Sequence, residues 1–167
     1  MKKNQKGFSL IELLIVVAII LIIAAIAIPN LLRARMAANE SSAVGSLRTV
    51  NTANGTYLTQ YNHSFAASLV VLGGPTIAAP TCGQANLIDP VLSLGAKSGY
   101  TFLYTAGAAD PGDVAPGCGS VLTYTFAAKP NSYNGTGTRS FFTDQTGVIR
   151  GGDDAGAYAT AGDNPLQ

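Results

Sequence analysis

From Leu13 to Ile28 the chain reads LLIVVAIILIIAAIAI, without one polar side chain. With Phe8–Glu12 before it and Pro29 after it, the stretch is long enough, at ~1.5 Å per helical residue, to cross a ~30 Å hydrocarbon layer. Beyond Pro29 the pattern turns amphipathic. Leu32, Met36, Ala43, Leu47, Val50, Tyr57 and Tyr61 recur mostly three, four or seven apart, while Asn39, Glu40, Ser42, Arg48, Thr49 and Gln60 take other faces. One long helix is therefore predicted, apolar over 8–29 and amphipathic over 30–61, ending near Tyr61–Asn62. Pro29 lacks an N–H and its ring crowds the carbonyl of Ala25, so a kink or loosened stretch is expected there, or else a stop and restart. Gly45 and Gly55 each weaken the helix by about 1 kcal/mol relative to alanine.

Residues 62–98 carry mixed signals and read as a connecting region. Phe65–Leu72 suits a short helical turn or extended chain, and Ala85–Leu94 a short helix interrupted at Asp89-Pro90. Strand signals follow over 99–150. Tyr100–Thr105 and Val121–Phe126 are aromatic and β-branched with alternation, and Arg139–Thr143 and Val148–Arg150 bracket a hairpin turn at Asp144-Gln145-Thr146-Gly147. Asp110–Gly119 reads as a long loop, and 151–167, rich in Gly, Asp and Ala, as a loose tail or edge extension. The expected class is α+β, with the long helix packed on a small antiparallel sheet.

Charge changes this picture at one end only. Charged residues are 11% of the chain and the net charge is +1. Three of the ten basic residues, Lys2, Lys3 and Lys6, stand before Phe8, leaving the rest slightly acidic against nine carboxylates. A basic cluster before an apolar run keeps the N-terminus cytoplasmic and sends the remainder outward. Three readings then compete: a secretory signal cut after Ala25-Ile26-Ala27, a permanent anchor, or a precursor cut ahead of the apolar run so that the run survives. Glu12 discriminates among them. A carboxylate inside an apolar helix costs on the order of 2.5–3.5 kcal/mol on insertion scales, and a signal or simple anchor has no use for it.

Gly7-Phe8-Ser9-Leu10-Ile11-Glu12, after its basic leader and before its apolar run, resembles the prepilin processing site of type IV pilins and type II secretion pseudopilins. The likeness is close from Lys6 to Pro29 and continues to about Leu58. It implies a leader of residues 1–7, removed by a prepilin peptidase between Gly7 and Phe8, with Phe8 methylated as the new N-terminus. It also implies that Glu12 pairs with the Phe8 amine of a neighbouring subunit, and that Pro29 is the proline that bends the family's long helix. Glu12 could equally pair with its own N-terminus, one turn away. The function implied is a structural subunit of a type IV pilus, polymerised through its helix for adhesion or motility. Its partners would be copies of itself in a helical filament, the peptidase and an inner-membrane assembly platform. The precursor would sit in the inner membrane and the assembled product on the cell surface. The alternatives are a secretion pseudopilin and a membrane-anchored extracellular binding module.

Cys82 and Cys118 both lie among turn formers, and in an exported chain they read as one disulfide; free thiols are the alternative. Two lone cysteines make a poor zinc site. His63 has no nucleophile or orienting carboxylate in a recognisable motif, and no phosphate cradle appears, so neither an enzyme nor a cofactor is expected. Asp110, Asp113, Asp153 and Asp154 offer oxygen ligands for calcium, but Asp-Pro-Gly-Asp reads as a turn and no metal site is expected. Lys97, Lys129, Arg139 and Arg150 are too few and too separate to form a nucleic-acid stripe.

Overall fold

The computed structural model describes residues 8–61, 64–74, 79–112, 118 and 120–166. They belong to two compact units, Met1–Arg35 and Met36–Gln167. Helix α1 (Leu10–Tyr61) runs through the boundary. It is unbroken at Pro29, so the helix does not stop and restart there.

In the first unit every large apolar side chain among the described residues stands exposed, with Leu10 at 81% and Ile26 at 65%. The helix is long and apolar enough to span a membrane.

In the second unit, Ala43, Ser46, Leu47, Val50, Ala53, Asn54 and Tyr57 of α1 are buried. The stripe is thus the expected one in its middle. Leu32 falls in the first unit and is exposed, Met36 is half-buried, and Ser46 and Asn54 are polar residues taken into the core. After α1 come β1 (Phe65–Ala66), α2 (Leu69–Leu72), α3 (Pro90–Ser93), β2 (Ala96–Lys97), β3 (Tyr100–Ala106), β4 (Ser120–Val121), β5 (Tyr124–Pro130), β6 (Ser140–Asp144) and β7 (Arg150–Gly152). Strands β2-β3-β5-β6-β7, in that order, form an antiparallel sheet. Alternation along β5 turns Tyr124, Phe126 and Ala128 into the α1 core with Leu47, Val50, Tyr100, Phe102 and Phe141. Ala127 and Phe142 pack instead with Ala159 and the half-buried Tyr158. The C-terminal tail therefore covers part of the second face. It also borders the sheet edge, with Arg150 bridging Pro165 and the Leu166 N–H bonding the Ile149 carbonyl at 2.9 Å.

Three local readings change. Asp89-Pro90 does not interrupt a helix but begins one: the Asp89 carboxylate accepts from the Leu92 N–H at 2.9 Å, and proline fits the first turn. Val121–Phe126 is not one strand, because Val121 pairs with Phe65 in a separate two-stranded ladder and β5 starts at Tyr124. Phe65–Leu72 is both of its alternatives in turn, strand β1 and then α2. The β2–β3 hairpin turns on Ser98-Gly99, with φ of 49° and 73°, the left-handed pair that a two-residue turn between twisted strands needs.

Candidate functional site

Ser9 stands immediately before the first helical residue, and Glu12 three positions on. The Ser9 N–H donates to Glu12 Oε2 at 2.9 Å. This is half of a capping box, in which an acidic side chain at the third helical position reaches back to the residue that begins the helix. The sequence signal was Ser9-x-x-Glu12, overlooked beside the cost of placing a carboxylate in an apolar segment. The cap bonds one oxygen of the carboxylate, and an ionised carboxylate has about four acceptor positions. It thus holds Glu12 in a fixed pose at the helix start without using it up. Phe8, next in line, is 83% exposed. Gly7, the other half of the expected cleavage junction, lies outside the described residues, as do His63 and Asp113.

In the second unit Cys82 and Cys118 form a disulfide, with Cα atoms 4.7 Å apart across a sequence separation of 36. The Tyr57 hydroxyl lies 2.9 Å from the Cys82 carbonyl and 3.0 Å from the Cys118 carbonyl. One phenolic proton is shared between them, so a fully buried tyrosine of α1 ties both stapled segments to the helix. Tyr57→Phe removes that donor and leaves two inward carbonyls short of a partner. The expected cost is about 1–3 kcal/mol, read as a lower unfolding midpoint of the full chain in detergent.

A polar seam crosses the same core. Asn54 Oδ1 accepts from the Ala66 N–H at 3.1 Å, the Tyr104 hydroxyl donates to the Ala66 carbonyl at 2.6 Å, and Tyr124 donates to Asn51 Oδ1 at 3.0 Å. Burial pushes the Tyr104 and Tyr124 hydroxyls up, Tyr124 to about 12, so both remain neutral donors at physiological pH. The seam pins α1 to β1, β3 and β5 and offers no nucleophile or base. Asp110 accepts from Ser64 and from the Gly112 N–H, a turn arrangement. Asp153 and Asp154 lie apart in sequence from Asp110, in the C-terminal tail. Among the described residues no group of three His, Cys, Asp or Glu side chains is placed to hold a metal.

A family model described as the prokaryotic N-terminal methylation motif matches residues 2–28. The chain is 67% identical over 39 residues to the type IV wide pilus major component PilA4 of Thermus thermophilus, covering 23% of this chain and 30% of that protein. It is 46% identical over 57 residues to the type IV major pilin protein PilA of Myxococcus xanthus, covering 34% and 26%. Both alignments thus span less than a third of those relatives' length. A longer alignment runs to the type IV major fimbrial protein FimA of Dichelobacter nodosus, 35% identical over 127 residues, covering 68% of this chain and 71% of that protein. No solved structure matches the chain significantly. The N-terminal motif and the longer alignment agree: the chain belongs to the type IV pilin family.

Proposed function

We propose that this chain is the structural subunit of a type IV pilus filament, serving adhesion or motility. The observation that carries the reading is the exposed apolar part of α1, whose one charged side chain before Arg33 is Glu12, fixed at its start. Burying a leucine or isoleucine side chain contributes about 1.5–3 kcal/mol, so such a surface requires an apolar surrounding. The inner membrane supplies it first, and neighbouring copies of the helix supply it in the filament. Lipid tails are as apolar as leucine, so exchanging one cover for the other yields little hydrophobic gain, and other contacts must decide when and in which register subunits join.

Processing provides such a contact. Prepilin peptidase cuts between Gly7 and Phe8, releases the basic leader and methylates Phe8. The cut creates a cationic amine at Phe8, beside the Ser9 amide, whose N–H still donates to Glu12. In the filament the Phe8 amine of one subunit meets the Glu12 carboxylate of its neighbour. Each charge is costly alone in an apolar surrounding, and the pair forms only when subunits stack in register, so it acts as an assembly check. Pro29 gives α1 a point with a missing hydrogen bond, where the helix bends or unwinds on leaving the bilayer. The chain itself carries no catalysis; cleavage and force generation belong to the peptidase and the assembly platform. The relatives' names, pilin and fimbrial protein, favour a pilus over a secretion pseudopilus. The test is the N-terminal residue and intact mass of the protein sheared from the cell surface.

A further inference from the structure

Glu12 and Arg33 mark the two ends of the uncharged part of α1. No ionisable side chain stands between them, and Asn30 is the one polar residue. At ~1.5 Å per residue the helix rises about 32 Å from Glu12 to Arg33, which matches the ~30 Å of a hydrocarbon core. The carboxylate and the first guanidinium therefore reach the two faces of a bilayer together. With Glu12 at the inner face, Arg33 and Arg35 come level with the lipid headgroups of the outer one.

Both arginines are exposed, and neither forms an ion pair among the described residues, where Lys97 pairs with Asp89. The next carboxylate along α1, Glu40, is taken up in the second unit. Its Oε1 accepts from the Thr138 N–H at 2.9 Å, the Thr138 hydroxyl at 3.0 Å and the Arg139 N–H at 3.2 Å. Two residues apart on a helix, Arg33 and Arg35 project roughly 200° from one another, on opposite sides. A single neighbouring protein surface cannot take both. A layer that surrounds the helix can, and the headgroup layer surrounds it. Arginine suits that layer, because its methylenes lie along apolar surface while its planar fork binds a phosphate through two parallel N–H bonds. Removal of the leader sharpens the contrast. Lys2, Lys3 and Lys6 leave with it, and Glu12 offsets the new Phe8 amine. The net charge flanking the apolar run is then that of the two arginines.

We propose that Arg33 and Arg35 clasp the phosphates of the outer headgroup layer and so fix the depth at which the processed subunit waits in the membrane. The proposal rests on the pilus-subunit reading, in which the membrane covers α1 before other copies do. Without the guanidiniums nothing keeps Leu31, Leu32, Ala34 and Met36 out of the hydrocarbon, and the helix sinks towards the inner face.

The test uses the processed full chain, purified from the membrane fraction, in phosphatidylglycerol vesicles with its arginines isotope-labelled at Cζ. Solid-state NMR reads which guanidinium carbons lie against lipid phosphorus. Of the five arginines, Arg33, Arg35, Arg48, Arg139 and Arg150, the signal of two is expected to be lost to phosphorus. In the chain with Arg33→Lys and Arg35→Lys that loss vanishes, because lysine carries no guanidinium carbon. Depth is read from a spin label on Ile28→Cys, whose thiol stands alone because Cys82 and Cys118 are bonded to each other. The lysine chain keeps the parent's depth, since an ammonium also reaches phosphate. In the chain with Arg33→Gln and Arg35→Gln the label moves about one helical turn, ~5 Å, towards the bilayer centre. Both changes lie at exposed positions without an ion pair, so the fold is kept. Arginine signals untouched by phosphorus, a loss that survives in the lysine chain, or an unchanged depth in the glutamine chain each overturn the proposal. If the purified protein begins at Ile28, the pilus-subunit reading falls and this anchor with it. If it begins at a methylated Phe8 and the phosphorus contact is missing, only the anchor falls.

Discussion

Replacing Glu12 with leucine is expected to leave the protein in the membrane and lower sheared filaments at least tenfold. Leucine suits the bilayer better than a carboxylate does, so insertion does not suffer and the membrane pool stays level or rises. What is lost is the charge that the processed N-terminus of the next subunit requires. The structure adds a second loss, because Glu12 also caps its own helix through the Ser9 N–H. Glutamine separates the two roles. It has a carbonyl oxygen that fills the capping position as glutamate does, yet carries no charge. Glu12→Gln is therefore expected to fail in assembly nearly as completely as Glu12→Leu. Normal filaments from the glutamine variant would assign Glu12 to capping alone.

Loss of the disulfide should have the largest effect on the stability of the second unit. Cys82 and Cys118 close a loop with a sequence separation of 36. On the chain-entropy account such a link restricts the unfolded chain by about 4 kcal/mol. Domains of this size are stable by only ~5–15 kcal/mol in total, so the link is a substantial share. Its absence also releases the two carbonyls that Tyr57 binds, which lie in the two stapled segments. Cys82→Ser with Cys118→Ser is expected to lower stability by about 3–4 kcal/mol, or roughly 10–20 °C in midpoint. Thermal unfolding of the full chain in detergent, with and without reductant, reads this directly. A double variant that melts within a degree or two of the parent would deny the staple any weight.

The long helix was legible because its signal is redundant. Sixteen positions' worth of unbroken apolar sequence, Leu13–Ile28, cannot be a loop, and the spacing of Leu47, Val50 and Tyr57 admits one buried face. The strands were legible more locally, Tyr100–Thr105 by its alternation and Arg139–Thr143 by its aromatic residues ahead of a turn. What escaped depends on tertiary partners. Asn54 enters the core because the Ala66 N–H and the Tyr104 hydroxyl meet it there, which helical periodicity alone reads as a polar position out of place. Val121 leaves β5 because Phe65, distant in sequence, pairs with it. Asp89-Pro90 and Ser9-x-x-Glu12 are different, for both are local capping signals present in the sequence. Each was hidden by a louder reading of the same residues, a proline as helix breaker and a glutamate as buried charge.

The most direct test of the central claim is the intact mass and N-terminal residue of the protein sheared from the cell surface. The account predicts a chain that begins at a methylated Phe8, with residues 1–7 gone and the apolar helix retained. A chain beginning at Ile28 would mean that the helix had been discarded as a secretory signal, and one beginning at Met1 that the leader is never cut. Either would contradict a filament built on that helix and on the Phe8 amine.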